Sequence, residues 1–275
     1  MRYFMHSRRP RRWLNEERLN ERGMKPSFFP DELDELKGKI EKTIEEKGNN
    51  ADLSFIDTKK ITDMSHLFKN SEFNGSLNYW DTSNVTDMTG MFYRAINFNR
   101  PIGGWDVSKV ESLEGTFCGA KEFDQPLNWC TSSLKDLKYT FMETDKFDRP
   151  LPFFVSKVTS LEGTFFKAKA FNHPLNWVTK NVKSMFGTFH GAEKFNQPLD
   201  WDTSKVTDMH GMFMCATNFN QPLDWDTSKV TDMGGMFFQA RSFNQDLEHW
   251  DVSSCRHSWD MFEESGMAKL PSWYE

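Results

Sequence analysis

The chain has 275 residues, a formal net charge of −6 and 37% hydrophobic residues. No apolar run reaches the ~18 residues that mark a membrane-spanning helix, and the four Cys form no CxxC, which argues against disulfide-rich and zinc-ribbon classes. The charge is uneven: residues 1–25 hold eight Arg or Lys against three Glu, so the acidic remainder does not read as a nucleic-acid-binding body.

In chain order, residues 1–26 match no later pattern and read as a basic N-terminal arm. The start MRYFMHSRRPRRW has positive charge but no apolar stretch, so it is not a secretory signal. Residues 27–60 read as an N-terminal cap. Within it, Leu33, Leu36, Ile40 and Ile44 fall on one helical face over 31–47, and Gly48 ends the run. Leu53 and Ile56-Asp57 then read as a zeroth strand.

From residue 61 one sentence recurs. Its phase residue is Ile61, Val85, Val110, Leu134, Val158, Val182, Val206, Val230 and, degenerate, Cys255. A fixed step of 24 or 25 residues is the signature of a solenoid. Eight full repeats occupy 61–254; 255–275 hold the ninth and a C-terminal cap closed by the segment LPSWY. One Phe stands seven residues after each phase residue, from Phe68 to Phe262, and a second follows from Phe73 to Phe243. A thin stack with short elements needs such large side chains, each contributing roughly 1.5–3 kcal/mol when buried.

Within a repeat, Leu199-x-Trp201 and Leu223-x-Trp225 alternate with period two and predict a short parallel strand. Met209, Met212, Phe213 and Ala216 then fall at +3, +6, +7 and +10 from the phase residue, which predicts a two-turn helix. Position +2 is Asp63, Asp87, Ser112, Asp136, Ser160, Ser184, Asp208 and Asp232, the residue types of a helix N-cap. Gly recurs at +5, where it would let neighbouring coils approach. The expected fold is therefore an α/β repeat solenoid, leucine-rich-repeat-like, with one short strand and one short helix per coil. The Asn/Asp column after the second Phe (Asn74 to Asn244) is expected to bond the backbone of adjacent coils.

The segments WDTSNVTDMTGMF, WDTSKVTDMHGMF and FNQPLDWD resemble the ~25-residue repeat of bacterial surface proteins, a mycoplasma-type domain of unknown function grouped with BspA-like leucine-rich repeats. The resemblance covers about residues 52–274. It implies adhesion or host contact for secreted members and supplies no catalytic residues.

The seven His sit at different phases without HxxxH or HExxH, and no phosphate loop or nucleophile elbow occurs. The column Asp81, Asp106, Asp202, Asp226 and Asp251 fits Asx-turns; the glycine-rich nonapeptide of calcium-binding solenoids is absent. The expectation is thus no enzyme, no cofactor and no metal. What remains is a scaffold that binds a protein through an extended face. The alternatives are a surface adhesin, or a structural subunit of a large assembly such as a virion or ribonucleoprotein particle. The missing signal and free thiols place it in the cytoplasm or in such an assembly. The arm 1–26 would meet an acidic surface or nucleic acid. Two faces are candidates for the protein partner. After the strand's Trp, Asp gives way to Cys130, Phe154 and Val178, flanked by Asp106 and Asp202. At +8, Tyr93, Met142, Phe166, Met214 and Phe238 are apolar. In repeats three to six, Thr116, Thr140, Thr164 and Thr188 replace Met or Leu at +6; this departure and the one at Cys130, Phe154 and Val178 read either as drift in the central repeats or as the place where function sits.

Overall fold

The computed structural model describes residues 26–274. The basic arm, up to residue 25, lies outside the described residues. The protein is a repeat protein with a regular aromatic ladder, mostly long-range contacts and little regular secondary structure. Its α-helix among the described residues is α1, Leu33–Lys47. Asp31 donates its N–H to Glu35 at 3.0 Å at the start, and Gly48, with φ of 80°, donates to the Ile44 carbonyl at 2.7 Å at the end. Leu36 and Ile40 are buried in the core, with Leu33 and Ile44 packed against it, so the face read from the spacing is the face that packs.

Successive repeats stack as coils. The first Phe of each coil packs on the next with ring centroids 5.4–5.7 Å apart, as Phe68 on Phe92 and Phe213 on Phe237. The second Phe forms a parallel column at 5.9–6.1 Å. Within a coil the two rings also meet, as Phe213 and Phe219 do at 3.9 Å. The Trp column runs beside the first-Phe column, as Phe213 meets Trp225 at 6.1 Å; within it Trp177 packs on Trp201 at 6.1 Å and Trp225 on Trp250 at 6.5 Å. At the far end Trp273 continues that column at 6.5 Å, and Tyr274 packs edge-on over Phe262 at 5.0 Å.

The two-turn helix expected in each coil is not present. Positions +5 and +9 have positive φ, for example Gly90 at 57° and Arg94 at 53°, or Gly211 at 60° and Cys215 at 57°. A right-handed helix of L-residues excludes that conformation. The segment is instead a chain of overlapping turns. Met91 donates to Met88, Tyr93 to Gly90 and Ala95 to Phe92, each three residues back. The alternate N–H groups point along the stack. Met209, Gly211, Phe213 and Cys215 donate to Asp232, Gly234, Met236 and Phe238 of the next coil, at 2.7–2.9 Å. Apolar side chains at +3, +7 and +10 face inward either way, which is why helical spacing and this turn ladder look alike in the sequence.

The eight +2 residues therefore cap no helix. Each closes an Asx- or Ser-type turn by accepting the N–H two residues on: Asp63 from Ser65 at 2.7 Å, Asp208 from His210 at 3.0 Å, Ser160 from Glu162 at 3.2 Å. Asp87, Asp136 and Asp232 do the same, as do Ser112 and Ser184. Their backbones form isolated parallel bridges from coil to coil, such as Asp208 with Asp232.

No sheet forms at the Leu-x-Trp segments among the described residues, although burial alternates there as expected: Leu175, Trp177 and Thr179 inside, Asn176 and Val178 outside. The coils are joined here by side chains. Trp177, Trp201 and Trp225 donate their indole N–H to the carbonyls of Leu151, Leu175 and Leu199, and Thr203 and Thr227 donate to Asp226 and Asp251. The wider ring spacing on the Trp side fits coils held further apart than the ~4.8 Å of a β-ladder. The zeroth strand likewise reduces to isolated contacts, Phe28 with Ile56 and Asp52 with Ser76.

Candidate functional site

The Asn/Asp column is structural. Asn196 accepts the N–H of Asn220 at 2.9 Å, Asn220 that of Asn244 at 2.9 Å, and Asn244 that of Ala268 at 2.9 Å. The Thr residues at +6 are not drift without consequence. Each hydroxyl is fully buried and reaches two carbonyls, as Thr164 reaches Leu137 at 3.1 Å and Leu161 at 2.9 Å. The Asp81 and Asp202 columns close Asx-turns onto Ser83 and Ser204, both at 3.0 Å. With these roles filled, few polar groups are left over for chemistry.

An apolar groove opens in the middle of the stack, of about 380 Å³. Leu151, Phe153 and Trp177 form its buried floor. Pro150, Pro152 and Pro174 wall it, and Phe154 and Val178 stand at its edge, 61% and 57% exposed. Both belong to the patch read from the sequence at the position after the Trp, and the structure brings them to one groove. Cys130 is exposed one coil earlier, outside the groove lining. Asp106 and Asp202 are exposed in the coils to either side. Thr131 places Phe154, since its hydroxyl accepts the Phe154 N–H at 2.7 Å.

The prolines have a local consequence. Pro152 stands where other coils carry Asn128, Asn176 or Asp200, and Pro150 precedes Leu151. Neither has an N–H to satisfy, so this stretch presents carbon rather than donors at the surface.

The second candidate face is half used. Tyr93, Met142, Phe166, Met214 and Phe238 are all half-buried. Phe166 packs on His190 at 4.2 Å, Lys167 lies 5.4 Å from the Phe166 ring, and Lys69 and Arg94 each lie 5.4 Å from that of Tyr93. Burial, with Lys167 and His210 nearby, pushes the His190 pKa down to about 4. Sequence reasoning missed a neighbouring set at +4. Phe186 packs on His210 at 5.3 Å, and Trp259 reaches His210 at 5.3 Å across Gly234, where a Cβ would lie 2.9 Å from the Trp259 ring. The available signal was an aromatic at a phase that Ser, Thr, Glu, Lys and Gly otherwise fill.

Burial raises the Cys118 thiol to about 11, and it also raises those of Cys215 and Cys255, so none of the three is an activated nucleophile. No group of His, Cys, Asp or Glu among the described residues has the geometry to hold a metal ion. No helix among them is long and apolar enough to cross a membrane.

The family described as "Mycoplasma protein of unknown function, DUF285" matches residues 38–152, 127–200 and 199–273. The chain belongs to this family. The three matches run through the coils and into α1, in line with the repeat as the unit of resemblance. No curated protein and no solved structure matches the chain.

Proposed function

We propose that this DUF285 chain is a non-enzymatic scaffold that binds a protein partner through the groove around Phe154 and Val178. The observation that carries the reading is an exposed Phe beside an exposed Val, on a buried aromatic floor with proline walls, in a body whose other Trp-adjacent positions are mostly acidic or polar. An apolar patch rimmed by polar groups is the usual anatomy of a protein-binding surface. The grouping with leucine-rich repeats belongs to the same proposal: a stack of coils offers a long, rigid face on which side chains of successive repeats line up.

The test is the double substitution Phe154→Asp with Val178→Asp. Both side chains are exposed, so the variant should melt like the parent chain and lose capture of partners from the native source. Unchanged capture by a natively stable variant would eliminate the groove. A collapsed melting temperature would show that the residues are core.

A further inference from the structure

The turn ladder has a direction, and it ends in an open rim. In each coil the N–H groups at +3, +5, +7 and +9 are turned toward the following coil. Met233, Gly235, Phe237 and Gln239 donate in this way to His257, Trp259, Met261 and Glu263 of the ninth coil, at 2.7–2.9 Å. The ninth coil repeats the geometry: Met261 donates to Ser258 and Glu263 to Asp260, and Asp260 and Glu264 have φ of 54° and 52°. No coil follows it. The N–H groups of Ser258, Asp260, Phe262 and Glu264 therefore have no acceptor among the described residues. Phe262 is buried under Trp273 and Tyr274, but Asp260 and Glu264 are exposed and Ser258 is half-buried.

The other end does not mirror this rim. Counted back by one 24-residue step, the phase that carries the ladder falls on residues 37–47, which are α1. A helix uses its own N–H groups internally, so it covers the first coil without hydrogen-bonding it. Among the described residues the stack is thus closed by a helix at its start and has unpaired donors at its end.

The rim is also acidic and aromatic. Asp260, Glu263 and Glu264 are exposed, and Trp259 beside them is 55% exposed. Among the described residues Glu264 accepts from the neutral amide of Gln239 alone, at 3.0 Å, and Lys269 faces Glu248, at 3.9 Å. A row of backbone donors set among carboxylates and a Trp suits a segment that offers carbonyls together with Arg side chains. The chain has such a segment: residues 8–12 read Arg-Arg-Pro-Arg-Arg, within an arm of eight basic residues and three Glu. We propose that the basic arm, residues 1–25, of a second copy docks on this C-terminal rim. Its carbonyls would accept from Ser258, Asp260 and Glu264, and its Arg side chains would pair with Asp260, Glu263 and Glu264. The contact is heterologous, since the arm leaves one end of the stack and the rim lies at the other, so copies join head to tail.

The experiment is sedimentation velocity of the full chain across a concentration series at low and high salt, with charge reversals on each side. The rim variant is Asp260→Lys with Glu263→Lys and Glu264→Lys. The arm variant carries Glu at Arg8, Arg9, Arg11 and Arg12. The parent should associate with concentration at low salt and dissociate at high salt. Either variant alone should weaken association at least tenfold, and an equimolar mixture of the two should form heterodimers. In parallel, the isotope-labelled full-length arm variant, whose rim is native, should show amide shifts at Ser258, Asp260 and Glu264 when a peptide of residues 1–25 is added. A parent that stays monomeric throughout overturns the proposal, and so does a rim variant that associates as the parent does. Failure of the mixture to pair, or peptide shifts confined to other coils, overturns it as well. All variants are checked by thermal melting. If the rim variant is unfolded, the peptide titration on the native rim decides alone.

Discussion

Trp129 donates its indole N–H to the Ile102 carbonyl of the preceding coil at 3.1 Å, while Trp105, its neighbour in the same column, has a buried indole nitrogen with no partner among the described residues. The column accepts Phe153 between Trp129 and Trp177, so ring stacking alone can fill a place in it. Trp105→Phe should therefore cost little, within about 1 kcal/mol. Trp129→Phe loses the bond as well and should cost about 1–2 kcal/mol more. Chemical denaturation of the two variants measures the difference, and equal costs would refute a role for the indole bond.

The second Phe of each coil stacks along its own column and against the first Phe of its coil. Phe219 is fully buried, 3.9 Å from Phe213 and 6.0 Å from both Phe195 and Phe243. Phe219→Ala should cost roughly 3–5 kcal/mol. A denaturation midpoint close to the parent's would contradict that burial.

Gly115 and Gly163 share a phase and have φ of 58° and 55°, but their surroundings differ. A Cβ at Gly163 would lie 2.4 Å from the Tyr139 ring of the preceding coil, whereas at Gly115 nothing lies closer than 3.8 Å. Gly115→Ala should cost about 1 kcal/mol for the backbone alone. Gly163→Ala should cost clearly more, and Tyr139→Gly in the same chain should recover the excess. Melting of the single and double variants tests this.

Asp208 needs an acceptor at its turn, not a charge. Burial raises its pKa, with Asp232 nearby adding to the effect, and its carboxylate accepts the His210 N–H. Asp208→Asn should be close to neutral, while Asp208→Ala should cost about 1 kcal/mol. Equal losses for Asn and Ala would show that the charge itself matters.

His190 supplies a pH dependence with a fixed sign. Its folded pKa is near 4 against an ordinary 6.5, so between these values the unfolded chain binds more protons. The stability is complete above about pH 6.5 and declines as the pH falls toward 4, by about 2 kcal/mol once solvent screening is allowed for. His190→Phe keeps a ring on Phe166 and should flatten the melting temperature between pH 7 and 5. A slope equal to the parent's would assign the effect to other groups.

The sequence by itself determined the repeat, its register, the buried columns and the place of α1. Phe at +7, Trp at the end of each Leu-x-Trp and Asn after the second Phe recur at fixed phase, and a stacked coil turns a phase into a column. The sequence also picked out Phe154 and Val178, because an apolar residue where other coils carry Asp is visible without coordinates. What only the tertiary structure decided is the backbone path. Apolar residues at +3, +7 and +10 satisfy a helix and a turn ladder equally, and the choice rests on positive φ at +5 and +9, where Tyr139, Arg94 and Lys167 give no local warning. That conformation is held by hydrogen bonds to the next coil, 24 or 25 residues away, so no local window contains its cause. The groove and the Phe186–His210–Trp259 set share this origin: each is made by residues of different coils, and only the stacking brings them together.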